Sequence, residues 1–423
     1  MKTTISLLCV MMTVATLAAA QNTTGSACAD LPQGEQSIAA ARKAISDKPT
    51  DYTGYNLLAV ALVRCAQETS NASLYPEAGD AVKKSLEIAS NNFDTEKIRA
   101  SILLGEHEYP AALDLAKTLN KRVPDDVLVY GLLTDANVEL GNYKDAEIAA
   151  QWMLNLRPGN LPALIRAAHL RELFGDAEGA YELMEMAYQS APATETWERA
   201  GMLTEMGHFR LASGGIDAAE KLFQQALTCF PNYPSALGNL AQVRITQKRY
   251  ADAVVLLRQR NQGVPRAENL YDLAEVLQLA GRDSEAKRAF AEFEIKSLLE
   301  LSKKQNANRE LVFYYADHAR QPAKALQVAQ REYGWRRDIY TLDAYAWALH
   351  VNGQDAEARE QIETALAVGI RDPRLVLHAG EICVGVGDIP AAKSYLKQSA
   401  EMNTADSEQA RSLLASLSVP SGR

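Results

Sequence analysis

Positive charge is in deficit in this sequence. Lysine and arginine number 44 against 53 aspartates and glutamates, the formal net charge is −9, and no basic block occurs along the 423 residues. Proteins that bind nucleic-acid backbones do so through clustered cations. The composition therefore predicts that nucleic acid is not a partner.

Catalytic motifs are also missing. The sequence contains no Gly-x-Ser-x-Gly elbow, no glycine-rich phosphate loop, no His-Glu-x-x-His and no paired Cys-x-x-Cys. Asp317 and His318 are adjacent, but side chains at i and i+1 of a helix diverge and do not share a site. We therefore expect neither an enzyme nor a cofactor.

The longest apolar run lies at the N-terminus. MKTTISLLCVMMTVATLAAAQ has one lysine, an apolar stretch from Ile5 to Leu17 and an Ala18-x-Ala20 pattern, which is the layout of a secretory signal peptide. The alternative is a membrane anchor, but such an anchor needs a run of roughly 18 apolar residues, and this run is shorter. We predict a signal peptide over residues 1–20, a flexible segment over 21–34, and an exported protein, periplasmic or secreted, with no membrane span after cleavage.

Cysteine is scarce. The sequence has five cysteines, and four remain once Cys9 leaves with the signal peptide. In an oxidising compartment an even number favours pairing. Cys28 and Cys65 fall in the irregular N-terminal part and form a candidate disulfide, with unpaired thiols as the alternative. Cys229 and Cys383 lie on predicted helices and are typical of small core residues.

A period of 34 residues organises most of the chain. LGNYKDAEIAAQWMLNLRPGN, which begins at Leu140, aligns with FGDAEGAYELMEMAYQSAPAT, which begins at Phe174. The matching positions are Gly141 with Gly175, Ala146 with Ala180, and Pro158 with Pro192. The alanine recurs downstream at Ala219, Ala253, Ala286, Ala325, Ala358 and Ala392.

From about Phe93 to Thr404 these residues resemble the tetratricopeptide-repeat family. The resemblance implies an all-α fold in which antiparallel helix pairs stack into a right-handed superhelical solenoid of about nine or ten repeats. The recurring alanines fall where the two helices of a pair approach most closely, because a bulky side chain there would overpack the contact. The resemblance further implies a protein-interaction scaffold.

The ends of the array are predicted to be atypical. We expect atypical N-terminal helices and a divergent repeat over 35–92, in which QETSNASLYPEAG forms an extra loop. Tetratricopeptide-like repeats follow over 93–304 and again over 305–423, the latter with a capping helix at 405–417 and a short tail. Between Ser284 and Lys304 the second-helix pattern is overlong, which indicates either a break between two superhelical segments or a long helix with a modest kink.

The run IYTLDAYAWALH, residues 339–350, separates into two helical stripes. The stripe predicted to stack on neighbouring repeats is Leu342, Tyr345, Ala346 and Leu349. The stripe predicted to face the concave groove, which the first helices line in this family, is Tyr340, Asp343, Trp347 and His350. Asp343 is thereby expected to face solvent, since a buried carboxylate without a partner would be costly.

The same register places other acidic and aromatic residues on that groove wall. They are Tyr271, Glu275, Glu310, Tyr314, Asp317 and Glu381, the last together with the apolar Leu377. Such a strip suits a peptide or protein segment carrying Lys or Arg, because its cation can pair with the acids while its stem lies on aromatic faces. The lysines and asparagines with which some co-chaperone members clamp a C-terminal carboxylate are absent.

Three alternatives to a peptide groove stay open. The groove can simply be solvated and lined by ordinary polar residues. Histidine with carboxylate also suits zinc, copper or nickel, so metal or small-molecule capture by His350, His378, Asp343 and Glu381 is a second reading. Third, the array can be a structural component of an envelope assembly.

Overall fold

The structure is a computed structural model and describes residues 33–69, 71–301, 309–402 and 404–417. Throughout these ranges the chain is helical and contains no strand, which confirms the predicted all-α solenoid class. The predicted signal peptide, nearly all of the segment 21–34, and Cys28 lie outside the described residues. Cys65 is buried within a helix, not in an irregular segment, and its bridge to Cys28 stays a prediction.

The described chain forms 22 α-helices. The first eleven are α1 Gln33–Asp47, α2 Tyr52–Thr69, α3 Leu74–Ile88, α4 Phe93–Gly105, α5 Tyr109–Arg122, α6 Val127–Glu139, α7 Tyr143–Leu156, α8 Leu161–Leu173, α9 Ala177–Ser190, α10 Thr196–Ala212 and α11 Ile216–Cys229. The others are α12 Pro234–Thr246, α13 Tyr250–Gly263, α14 Ala267–Leu279, α15 Asp283–Leu301, α16 Arg309–Phe313, α17 Pro322–Tyr333, α18 Ile339–Val351, α19 Asp355–Leu366, α20 Pro373–Gly385, α21 Ile389–Glu401 and α22 Ala405–Ser416.

Each repeat is a pair of helices separated by a tight turn. In many pairs the turn contains a glycine in the left-handed region, such as Gly353 with φ of 74°, and before α9 and α21 an aspartate also caps the second helix. Asp388, for example, accepts a hydrogen bond from the backbone N–H of Ala391 at 3.1 Å. All eight recurring alanines predicted to lie between paired helices are 0–1% exposed, which confirms their packing role.

The chain divides into two compact units, and the smaller one contains the described residues 33–138 and 144–163. Its core includes Leu62, Val82 and Ile98, from α2, α3 and α4. The predicted loop QETSNASLYPEAG is wrong for most of its length. Helix α2 continues to Thr69 and α3 begins at Leu74, so the connection between them is short.

The larger unit contains residues 139–143 and 164–417 of the described chain. Its turns join repeats that are distant in sequence. The N–H of Arg337 donates to the carbonyl oxygen of Glu139 at 3.0 Å, and the N–H of Ile339 donates to the Tyr143 hydroxyl at 2.8 Å. A second contact brings the backbone of Gly175 against that of Gly369. These contacts fix the ends of the helices that carry the candidate site.

The most irregular part of the larger unit follows helix α15. This helix has 19 residues, whereas α11 and α13 have 14 each. The short α16 then continues directly into a π-helical turn, Tyr314–His318, a local widening that is frequent at functional sites. Residues 302–308 lie outside the described ranges, so the choice between a segment break and a kink stays open, as do the predicted boundaries at 304 and 305.

Candidate functional site

Helix α18 supplies the stripe that the sequence places in the groove. Asp338 starts the helix by accepting a hydrogen bond from the N–H of Tyr340 at 3.0 Å. Nine of the 13 residues of α18 are buried, and they include Asp343 and Trp347. Helix α18 therefore does not have one stripe that packs on neighbouring repeats and another that faces solvent. Neighbouring first helices cover α18 on both sides.

Asp343 is a buried, paired carboxylate, so its predicted solvent-facing position is wrong. It is 2% exposed, and its Oδ1 lies 2.7 Å from Nδ1 of His378 on α20. Burial alone would lower the pKa of His378, but the charge of Asp343 and the hydrogen bond to it raise the pKa above the usual value. The pair joins two adjacent repeats.

Trp347 is held between the same repeats. Its Nε1 donates to Oδ1 of Asp317 at 2.8 Å, and its indole stacks on the His378 ring with centroids 4.1 Å apart and 15° between planes. Since one face is covered and the side chain is 8% exposed, this tryptophan presents little ring surface to a ligand cation. The expectation that a ligand's stem lies on its face is therefore wrong.

Glu275 on α14 is also satisfied from within the unit. Its carboxylate accepts from the Tyr271 hydroxyl at 3.2 Å, lies 3.1 Å from Nε2 of His318 and 3.9 Å from the Arg374 guanidinium. Burial alone would raise the pKa of Glu275, but the hydrogen bond to His318 and the charge of Arg374 hold it below the usual range. Tyr271 itself is 3% exposed and packs in the core.

The guanidinium of Arg374 lies where the sequence predicts the cation of a bound Lys or Arg side chain. Its guanidinium lies 5.1 Å from the ring centroid of Phe313 and faces the Glu275 carboxylate. This is the combination of acid and aromatic face expected to recognise a cation. Sequence reasoning missed Arg374, although a signal existed, because it lies one helical turn before His378 on the same face of α20.

Asp317 and Glu381 of the predicted set keep solvent access. Asp317 is exposed while it accepts the Trp347 N–H, and Glu381 is half-buried and accepts from Nε2 of Gln409 at 2.8 Å. Burial raises the pKa of Glu381, against the opposing charges of His378 and His350. We call the surface formed by Glu275, Asp317, Trp347, Arg374, His378 and Glu381 the first-helix surface.

The other predicted site residues lie around this surface. His350 is partly buried and pairs through Nδ1 with Asp355 of the following helix. Tyr314 is partly buried, and its hydroxyl lies 3.3 Å from Oε2 of Glu294. Glu310 is half-buried. Tyr340 lies under the Arg309 guanidinium, 5.2 Å from ring centroid to Cζ, next to a different group of charges.

That second group is a buried ion cluster, which the sequence did not reveal. Arg336 is 2% exposed, and its Nε lies 2.7 Å from both Glu139 Oε2 and Asp338 Oδ2. Glu332, also buried, has its pKa raised to about 7 by burial, despite the nearby arginines. The cluster lies at the contact between the turn 139–143 and the segment before α18.

The metal alternative gains no support from the geometry. In the part of the chain that the structure describes, no three His, Cys, Asp or Glu side chains converge as a metal site requires. His378 and His350 pair with different carboxylates, Asp343 and Asp355 respectively.

Comparison with known proteins agrees with the repeat assignment. The family model for the tetratricopeptide repeat matches residues 210–266. A curated relative, cellulose synthase operon protein C of Xanthomonas axonopodis pv. citri (strain 306), is 33% identical over 128 residues, which are 30% of this chain and 8% of that protein. The chain thus spans a small part of the length of this relative. The family match supports the tetratricopeptide-repeat assignment over residues 210–266.

Solved structures with a similar arrangement share little sequence. The type IV pilus biogenesis factor PilW is 16% identical, with a TM-score of 0.43 over 49% of this chain and 94% of that chain. A human IFIT1 dimer with PPP-AAAA is 13% identical, with a TM-score of 0.48 over 88% of this chain and 95% of that chain.

Tandem helix-pair arrays of this kind expose extended surfaces, which commonly serve to bind other proteins. Within the described ranges, no helix combines the length and apolarity needed to cross a membrane.

Proposed function

We propose that this protein is a non-enzymatic scaffold that binds a peptide or protein segment carrying Lys or Arg in the groove at its first-helix surface. The observation that supports this most directly is the exposed carboxylate of Asp317, which is fixed in place by the Trp347 N–H at 2.8 Å. A preoriented acid that still reaches solvent can pair with a ligand cation at a low ordering cost.

Glu381 provides the second acid of the proposed groove. After burial, the charge of Asp317 also raises the pKa of Glu381, and both carboxylates lie near His378. Two carboxylates on one surface favour a cation over an anion. Arg374 gives an internal precedent, since this surface already holds one guanidinium between Glu275 and the ring of Phe313. Because Glu275 and Asp343 are already paired, the proposed contact centres on Asp317 and Glu381.

We further propose that the protein acts in the cell envelope or outside the cell. This part of the proposal rests on the signal-like sequence of residues 1–20, with one lysine, an apolar stretch and an Ala-x-Ala pattern.

Peptide binding tests the groove. Fluorescein-labelled peptides of about 12 residues, which vary Lys, Arg, Ala or Glu at each position, are titrated with the protein and followed by anisotropy. We expect preference for Lys or Arg, and a Kd that weakens about tenfold or more in Asp317→Asn with Glu381→Gln. Glu357→Gln with Glu360→Gln is the matched control, because it removes the same charge from exposed positions of α19.

Two results would count against the groove. One is equal binding of Lys-rich and Ala-rich peptides. The other is an equal loss of affinity in the test and control pairs, which would indicate general attraction to an acidic protein rather than a defined contact. Added salt should weaken the contact in the wild type, because the carboxylates are solvent-accessible.

A further inference from the structure

A cavity of about 470 Å³ lies between the end of α19, the start of α20 and the middle of α21, away from the first-helix surface. This volume is within the range of pockets that hold small molecules. Its apolar lining comes from Leu366, Ile370, Val376 and Met402. Ile370 and Val376 are buried core residues, so the floor of the cavity is part of the packed repeat.

The polar lining consists mainly of hydrogen-bond donors. Arg371, Tyr395 and Gln398 all line the cavity. Arg371 is exposed and forms no ion pair with any residue that the structure describes. Burial raises the pKa of the Tyr395 hydroxyl, which therefore keeps its proton and remains a donor at neutral pH.

The cavity's one acidic lining residue is already paired. Oε1 of Glu363 accepts a hydrogen bond from Nε of Arg359 at 2.7 Å. Its charge is therefore partly neutralised within α19, whereas the charge of Arg371 is left for a ligand. The electrostatic balance of the cavity thus favours an anion over a cation.

We propose that this cavity binds a small amphipathic carboxylate, with its apolar chain on the partly buried Leu366 and Met402 and its carboxylate at Arg371. Guanidinium and carboxylate match in geometry and form charge-assisted hydrogen bonds. The Tyr395 hydroxyl and the Gln398 amide are further donors on the same lining. This site shares no residue with the first-helix surface, so it can exist whether or not that surface binds a peptide.

Octanoate is the probe for this site. The full chain is titrated with octanoate, octanamide and octylamine by calorimetry, at ligand concentrations up to about 1 mM. We expect octanoate to bind at least about tenfold more tightly than octanamide, and octylamine to bind more weakly than either. N-acetyl-leucyl-leucine, with free or amidated C-terminus, tests whether the carboxylate of a peptide end is accepted as well as that of a fatty acid.

Three variants locate the site. Arg371→Gln should lower octanoate affinity about tenfold while it leaves octanamide binding unchanged. Ala367→Phe, at an exposed position that lines the cavity, should fill the space and abolish binding of both. Lys393→Gln is the control, since it removes one exposed positive charge from α21 at a position outside the cavity lining.

Several results would overturn the proposal. These are equal affinity for octanoate and octanamide, unchanged octanoate binding in Arg371→Gln, the same loss in Lys393→Gln as in Arg371→Gln, or no heat of binding at the highest concentration. Far-UV circular dichroism of each variant shows whether a loss reflects the cavity or unfolding of the repeat.

Discussion

The indole of Trp347 and the imidazole of His378 lie nearly parallel, with ring centroids 4.1 Å apart, and each ring is fixed at its edge by a different aspartate. Asp317 accepts from the indole N–H, and Asp343 pairs with Nδ1 of the imidazole. Because these four residues come from three successive first helices, the stack and its two carboxylates connect neighbouring repeats. The stack sets the orientation of Asp317, on which the proposed groove depends.

Replacing Asp343 by asparagine should lower the pKa of His378. The charge of Asp343 is what raises this pKa against the effect of burial, so without it burial and the nearby Arg374 favour the neutral ring. NMR titration of the imidazole protons, assigned with a His378→Gln variant, measures the shift. Asp355→Asn is the control, since Asp355 pairs with His350 instead and should leave the His378 value unchanged.

The same substitution should reduce stability most in acid. A histidine whose folded pKa is raised contributes stability that is fully present below its unfolded pKa of about 6.5 and is lost as pH rises through the folded value. Asp343→Asn should therefore cost about 2 kcal/mol of unfolding free energy near pH 6, and less at pH 9. An equal cost at both pH values would show that the imidazolium charge plays no part in this pair.

Glu332 also predicts a pH dependence of stability, but here burial raises the pKa, whereas a charged partner raises that of His378. Burial raises its pKa to about 7, so between pH 4.5 and 7 the folded chain holds a proton that the unfolded chain releases. Stability from this carboxyl is greatest below about pH 4.5 and falls as pH rises through 7. Glu332→Gln should remove a slope that amounts to about 3 kcal/mol over this interval.

Urea unfolding at a series of pH values measures this slope, and the difference between variant and wild type isolates one carboxyl from all others. Glu360→Gln, at an exposed position of α19, is the control and should leave the curve parallel to the wild type. A wild-type slope retained by Glu332→Gln would mean that the buried ion cluster keeps this carboxylate charged throughout.

The repeat alanines show what local pattern can predict. Ala253 and Ala286 recur in register with the other alanines. Because these buried positions have no room for a side chain larger than a methyl group, alanine recurs there from repeat to repeat. The helix pairs and their turns follow from the same periodicity. This part of the fold depends on contacts within one repeat or between neighbouring repeats, so it can be predicted from a single sequence.

The candidate site shows where such reasoning stops. A helical stripe gives the direction of Asp343 along α18 but not the elements that cover it, and His378, 35 residues away, turns the expected surface acid into a buried one. The pairing of Glu275 with Arg374 spans three repeats. Charge partners at such distances depend on how the repeats stack, which residue periodicity does not specify.

The close approach of Gly141 to Arg337 allows the sharpest stability test. Gly141 has φ of 75°, and a Cβ added there would lie 2.6 Å from the carbonyl oxygen of Arg337. Gly353 has nearly the same φ, 74°, but nothing lies within 4 Å of its added Cβ. Both alanine variants carry the cost of a left-handed non-glycine residue, about 1 to 2 kcal/mol. Gly141→Ala alone must also move the backbone of a distant repeat.

We therefore expect Gly141→Ala to lose about 2 kcal/mol more unfolding free energy than Gly353→Ala, measured by chemical denaturation. Hydrogen exchange should show where the additional loss occurs. The amide of Arg337, which donates to Glu139, and that of Ile339, which donates to Tyr143, should exchange faster in Gly141→Ala and at the wild-type rate in Gly353→Ala. Equal losses in the two variants would show that backbone conformation, and not the contact between turns, limits stability here. That result would remove the contact at 139–143 as a constraint on where α18 begins.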